Sequence, residues 1–243
     1  MKFSSQHVVV TGGTRGIGAA VTRAFLAEGA VVHATYQRNE IAAERLREEA
    51  GGGAERLVLA RLDVTDPGAV TAYWEELSGT PVSVLVSNAG IRRDALLATM
   101  AEEDWSTVLD ANLTGGYRMA KQAVLNMLRQ RYGRIVFVTS PAGRVGFEGQ
   151  GNYAASKAGQ VGLARALCKE VARKKITVNC VSPGFVETDL VADLPGETAS
   201  AYKKSVPMRR FGKPEEIASA VLFLASPEAS YVSGAVLEVS GGL

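Results

Sequence analysis

The chain has 243 residues, 21% of them charged and 47% hydrophobic, with a formal net charge of +2. That length supports one well-buried α/β core, and the ordinary globular balance leaves no room for a long disordered segment. The small net charge gives no global basic field for nucleic acid, and no apolar run reaches the roughly 18 residues that a membrane span needs.

The opening stretch, "MKFSSQHVVVTGG", runs straight into a strand and a glycine turn, with no apolar h-region or cleavage site of a signal peptide. Seven short runs then predict strands: "HVVVT" (7–11), "AVVHATY" (30–36), "RLVLARLDV" (56–64), "VSVLVSN" (82–88), "RIVFVTS" (134–140), "ITVNCVS" (176–182) and "AVLEVS" (235–240). They are rich in Val and Ile, and several show little polar alternation, as strands buried on both faces do. Amphipathic segments lie between them, such as "GAAVTRAFLAEG" and "EIAAERLREEA", the second ending at Gly51-Gly52-Gly53. This alternation predicts a doubly wound, Rossmann-type α/β fold: a seven-stranded parallel sheet with helices on both faces. No linker or repeat divides the chain, so residues 1–243 are expected to form one domain, with a cofactor half to about 140 and catalytic elements beyond it. The one long interruption without a strand, 189–213, is a candidate lid. Cys168 and Cys180 have no metal-ligand spacing and no companions, so no metal is expected. They read as small buried hydrophobes in a reducing, cytoplasmic compartment. His7 and His33 read as structural.

Ligands of open α/β sheets bind outside the carboxyl ends of the strands. The first run is followed by "TGGTRGIG", with Gly12, Gly16 and Gly18. Glycine lets the backbone turn tightly and approach a phosphate, and the helix beginning there directs free N–H groups and a positive dipole end at the anion. The third run leads to Asp63 and the fourth to Asn88-Ala89-Gly90. The fifth ends at Ser140, and the sixth leads into Pro183-Gly184. The second ends in Tyr36-Gln37-Arg38, with no acid before Glu40, and Arg15 lies inside the glycine turn. An acid there normally takes the ribose 2′-hydroxyl of NAD. Two guanidinium groups and no carboxylate suit a 2′-phosphate, so NADPH is the expected cofactor.

In "GQGNYAASKAG", Tyr153 and Lys157 stand four residues apart, on one face of a helix. A phenol beside a fixed cation ionises more easily than one in water. Taken alone, the pair is equally a surface contact, Ser140 a turn or cap residue, and Asn112 in "DANLTGG" another. Their order along the chain, beside a glycine turn suited to NADP, argues for a site.

"TGGTRGIG", "SNAG", Asn112, Ser140, Tyr153-x-x-x-Lys157 and "PGFVETDL" together resemble the short-chain dehydrogenases/reductases, over essentially the whole chain. Within that family, stretches such as "NAGIRRDALLATMAEEDW" and "RFGKPEEIASAVLFLASPEASYVSGAVLEVSGG" are most like the β-ketoacyl-[acyl carrier protein] reductases. The resemblance implies a catalytic set of Ser140, Tyr153, Lys157 and Asn112. Tyr153 would be the proton donor with its acidity raised by Lys157, Ser140 would bind the substrate oxygen, and Asn112 would hold a water linking Lys157 to solvent. It also implies a cofactor site of Gly12, Thr14, Arg15, Gly16, Ile17, Gly18, Arg38, Asp63, Val64, Asn88, Ala89, Gly90, Tyr153, Lys157, Pro183, Gly184, Val186 and Thr188. Within it, Asp63 would meet adenine, Asn88 the adenosine ribose, Val186 the nicotinamide amide, and Thr188 the pyrophosphate or amide region.

Several positions depart from the family pattern. Gly13 stands where Ala is commoner, a change expected to be harmless. Pro141 stiffens the loop after Ser140, and Lys174-Lys175 replaces an expected Arg-Gly. An acidic carrier needs a basic rim near the cleft. By resemblance Arg131 and Lys174 would dock it, while "RQR" and "RKK" read equally well as helix C-terminal cations. The expected reaction is NADPH-dependent reduction of a 3-oxoacyl thioester, bound to acyl carrier protein or CoA, by a homotetramer. The alternatives are another ketone or alcohol oxidoreductase and a non-catalytic NADP(H) sensor.

Overall fold

All seven expected strands form in the computed structural model, which describes residues 1–188 and 196–243. They are β1 (His7–Val10), β2 (Val31–Tyr36), β3 (Leu57–Arg61), β4 (Val82–Ser87), β5 (Gly133–Val138), β6 (Ile176–Pro183) and β7 (Val236–Val239). Every pairing is parallel, in the order β3-β2-β1-β4-β5-β6-β7. The connections are α1 (Gly16–Ala27), α2 (Glu40–Glu49), α3 (Pro67–Glu76), α4 (Glu102–Leu109), α5 (Gly115–Gln130), α6 (Ala142–Val145), α7 (Gly151–Val171), α8 (Gly196–Ser205) and α9 (Pro214–Ala225). Local chemistry starts several of them. Asn39 accepts from the Ala42 N–H at the head of α2. Asp66 accepts from Gly68 and Ala69 before α3, whose first residue is Pro67.

Strands β4, β5 and β6 are buried along their whole length, which explains their unbroken apolar runs. Side chains still alternate between two cores. Val8, Val10, Val84, Val86, Val136 and Val138 face α1 and α9. Val9, Leu85, Ile135 and Phe137 face α3, α5 and α7. Cys168 and Cys180 are buried free thiols in the second core. Of the segment 189–213, residues 189–195 lie outside the described residues; α8 and a loop follow, and Gly212 makes one parallel bridge back to Val186. No described helix is long and apolar enough to cross a membrane.

His7 on β1 and His33 on β2 meet with Nδ1 and Nε2 3.1 Å apart. Burial, and then the neighbouring His7, push His33 down from 6.5 to about 4. Between those values the unfolded chain binds a proton that the folded chain refuses. Stability is therefore full above about pH 6.5 and falls as pH drops towards about 4. After allowance for solvent screening, His33→Gln should shrink the stability difference between about pH 7 and about pH 4 by about 2 kcal/mol. Urea melts at the two pH values read this, and an unchanged difference would place the acid sensitivity elsewhere.

Candidate active site and cofactor cleft

The sheet order reverses direction between β1 and β4, and a crevice opens at their carboxyl ends. The glycine turn forms one wall. Gly12 and Gly16 take φ of +61° and +51°, the left-handed region. Gly18 approaches the turn so closely that a Cβ there would sit 2.0 Å from the Gly12 carbonyl oxygen. Arg15, extended and exposed, precedes α1 without a side-chain cap, so the first-turn N–H groups stay available for an anion. Thr14 is buried and Ile17 half-buried behind them. Thr188 stands beside this turn, its Cγ2 3.4 Å from where a Gly16 Cβ would lie. Val186 is buried beneath, and Pro183 ends β6. Gly184 passes Ser240 so closely that a Cβ would approach its Cα to 2.8 Å.

The Gly13 N–H donates to the Thr35 carbonyl at 2.9 Å, which sets the turn against the end of β2. There Gln37 and Arg38 are exposed, with no acid before Glu40. Gly13, where Ala is commoner in the family, stands where this chain leaves no room for a side chain. A Cβ there would meet the Ala34 Cβ and Val10 oxygen at 2.9 Å and the Thr22 hydroxyl at 3.0 Å. In this chain the turn has closed onto the space.

Two predicted cofactor residues also organise the crevice. Asn88 donates from Nδ2 to the Thr11 and Gly12 carbonyls, both at 3.0 Å, and clamps β4 to β1. Ala89 adds an N–H bond to the Thr11 hydroxyl. Asp63 accepts from the Thr65 N–H at 2.9 Å, the Thr65 hydroxyl at 2.7 Å and Gln37 Nε2 at 2.5 Å. Burial pushes its carboxyl up, but Thr65, Gln37 and then Arg38 together hold it below the usual value. Val64 packs under Gly115, where a Cβ would lie 2.7 Å from it. A glycine turn, an uncapped helix start and exposed guanidinium groups fit the phosphates of a dinucleotide.

Ser140 follows β5, and its Oγ accepts from the Ala142 N–H at 3.2 Å. Pro141, at φ −56°, starts α6. The proline thus begins a helical turn, where its missing N–H costs little. α6 rests directly on α7: a Cβ on Gly143 would lie 2.6 Å from the Ala158 nitrogen. α7 starts where the buried Asn152 accepts from the Tyr153 N–H and donates to the Arg93 and Asp104 carbonyls. Its buried stripe runs Asn152, Ser156, Lys157, Gln160, Ala164, Cys168, Val171, polar first and apolar later.

Tyr153 and Lys157 share the expected face, with Lys157 Nζ 5.6 Å from the Tyr153 ring centre. The electrostatics differ from expectation. Burial raises the Tyr153 phenol; Ser140 and then the Arg92 cation act the other way, and Asp94 raises it again. Lys157 is not among the groups that lower it. Its ammonium donates instead to the Val138 carbonyl at 2.8 Å and to Gln160 Oε1 at 3.2 Å, and burial brings it down to about 8. Burial thus works against charge on both groups, raising the phenol and lowering the ammonium.

Asn112 lies in a π turn, Asp110–Thr114, that joins α4 to α5. It is fully buried, accepts from the Ile91 N–H at 2.8 Å, and donates to the Ile91 carbonyl and the Ser156 hydroxyl at 3.0 Å each. With its side chain bonded to protein throughout, a water at Asn112 has only second lone pairs to bind. Gly90 completes the cluster: a Cβ there would sit 3.0 Å from Asn112 Oδ1 and 3.6 Å from Lys157 Nζ.

The residues expected to dock a carrier lie away from this protomer's cleft. Arg131 and Lys174 are exposed but precede β5 and β6, at the amino edge of the sheet. β5 alone puts about 20 Å between that edge and Ser140, so the two cannot rim this protomer's own cleft. Arg134, at the same end of β5, is buried against the Ser226, Gly133 and Lys175 carbonyls. Three residues at the cleft escaped sequence reasoning. Arg92 and Asp94, an ion pair at 3.2 Å, both act on Tyr153. Gln160 had one available signal, its place on the Tyr153 helix one turn beyond Lys157. Among the described residues no group of three His, Cys, Asp or Glu could hold a metal.

A parallel sheet with a glycine turn at its switch point and Ser140, Tyr153 and Lys157 beyond it fits the class of nicotinamide-dependent oxidoreductases, and the chain belongs to the short-chain dehydrogenase/reductase family. A family model described as enoyl-(acyl carrier protein) reductase matches residues 12–243. The 3-oxoacyl-[acyl-carrier-protein] reductase FabG of Salmonella typhimurium is 40% identical, over 100% of this chain and 99% of its own. FabG of Escherichia coli is 40% identical over the same shares. The 3-oxoacyl-[acyl-carrier-protein] reductase MabA of Mycobacterium tuberculosis is 42% identical, over 99% of this chain and 94% of its own.

Proposed function

We propose that this chain is an NADPH-dependent reductase that converts 3-oxoacyl thioesters on acyl carrier protein to 3-hydroxyacyl thioesters, in fatty acid or polyketide-like synthesis. The observation that carries the reading is the Tyr153/Lys157 pair on one face of α7, with Lys157 Nζ 5.6 Å from the Tyr153 ring centre and Ser140 acting on the phenol. Full-length similarity to reductases of that name supports the substrate class. When bound, the nicotinamide supplies the hydride. Ser140 holds the ketone oxygen as charge develops on it. Tyr153 gives that oxygen its proton. Lys157, with two neutral acceptors already, keeps a third N–H for the cleft.

Arg15 and Arg38 are the residues we assign to the 2′-phosphate. Exposed free thiols are not needed for this chemistry, and the buried Cys168 and Cys180 suit a reducing cytoplasm. Half-exposed Tyr117 and Leu125 on α5, Phe223 on α9 and the edge strand β7 support a homotetramer; a light-scattering mass near the 25.6 kDa of one chain would overturn it.

The test is cofactor oxidation with acetoacetyl-carrier protein, acetoacetyl-CoA and a longer 3-oxoacyl-carrier substrate, using NADPH and NADH. Turnover should be strongest with carrier substrates and NADPH. In Arg15→Ala/Arg38→Ala, KM for NADPH should rise about tenfold or more while KM for NADH holds, since each charge-assisted bond to a phosphate is lost with one partner only. Absence of thioester turnover would sink the substrate assignment.

A further inference from the structure

Resting on the reading of Lys157 and Asn112 as catalytic, we propose that Gln160 is a positioning residue: its amide joins the Asn112 main chain to the Lys157 ammonium and fixes both the place and the charge of that ammonium. Gln160 is fully buried. Its Nε2 donates to the Asn112 carbonyl oxygen at 2.8 Å, and its Oε1 accepts from Lys157 Nζ at 3.2 Å. This orientation is forced. An ammonium offers only donors and a main-chain carbonyl only acceptors, so a flipped amide would face both with the wrong group. The surroundings leave room for it: a Cβ on Gly116 would lie 3.5 Å from Nε2.

The bridge ties three elements together at one point. Asn112 comes from the π turn, Lys157 and Gln160 from α7, and the Val138 carbonyl from the end of β5. Lys157 therefore has two acceptors, both neutral. The titratable groups facing it are Tyr153 on its own helix and Cys180 on β6. Burial pushes the Cys180 thiol up to about 12, so it stays neutral near pH 8. The π turn contributes the uncharged Asn112, and β5 a main-chain carbonyl. Among the described residues no carboxylate holds the ammonium, so the Gln160 oxygen carries an unusual share of that task.

The test uses Gln160→Met, which keeps the volume and removes both hydrogen bonds, and Gln160→Glu, which replaces the neutral acceptor with an anion. Two readouts are taken on the full chain. One is the titration of Lys157 by NMR of lysine labelled with carbon-13 at Cε, its signal assigned by its loss in Lys157→Met. The other is the pH profile of kcat/KM for thioester reduction. Losing an acceptor favours the neutral amine, so in Gln160→Met the Lys157 titration and the alkaline limb should both fall by about one pH unit. Gln160→Glu should move both upwards. A merely structural glutamine would lower kcat or stability and leave both midpoints in place, and that result would overturn the proposal. Shifts of the same sign in the two variants would overturn it as well. If Gln160→Met does not fold, the direction seen in Gln160→Glu decides. The NMR titration needs no substrate, so an inactive wild type would sink the assigned reaction, while the titration would still decide the Gln160–Lys157 link.

Discussion

Tyr153→Phe should lower kcat for ketone reduction about a thousandfold and leave NADPH affinity within a few-fold of wild type. The substitution removes one oxygen and keeps the ring that packs near Lys157. What disappears is the hydroxyl on which Ser140 acts, and with it the proton that the proposed mechanism delivers to the ketone oxygen. Ser140 can still polarise a carbonyl, so the residual rate is that of binding and polarisation without proton donation. The cradle around Gly12, Gly16 and Gly18 is untouched. Steady-state rates with a carrier thioester and fluorescence titration with NADPH separate the two effects. A sensor that merely binds the cofactor would be indifferent to the change. Turnover at the wild-type level in Tyr153→Phe would remove Tyr153 from the chemistry.

The second large effect is at the turn. In Gly18→Ala the new methyl would fall 2.0 Å from the Gly12 carbonyl oxygen and 2.7 Å from Asn88 Nδ2. Backbone cannot yield as a side-chain tip can, so the turn has to open and the Asn88 clamp on Thr11 and Gly12 is strained or lost. A cost of about 3 kcal/mol in stability and a loss of NADPH affinity of at least about a hundredfold are expected. Gly52→Ala is the control: nothing lies within 4 Å of a Cβ there, and the affinity should not move. Chemical denaturation and cofactor titration check both variants. Normal NADPH binding by the Gly18→Ala variant would mean the turn tolerates a different path.

Much of the site is legible along the chain because each part is local. A glycine turn, a strand-end serine and a Tyr/Lys pair at helical spacing are defined by near neighbours and by the periods of helix and strand. The Gly13 and Pro141 departures show where locality stops. Whether an extra methyl at 13 fits depends on Ala34 and Thr22, brought there by β2 and α1. Pro141 proved to be a helix start, a matter of how α6 lies on α7. The place of the basic clusters is a topological matter: charge is visible in sequence, but the sheet edge on which it falls is not.

By itself the sequence determined the seven strands, their parallel character, the glycine turn after β1, the order Ser140, Tyr153, Lys157, and the lack of an acid at the end of β2. Tertiary structure alone decided the charge states and partners within that order. Burial sets Tyr153 against ionisation and weakens Lys157. Gln160 and Asn112, forty-eight residues apart, meet only because a π turn and α7 pack together. Spacing specifies which groups can share a face, whereas desolvation and long-range hydrogen bonds depend on everything else that surrounds them.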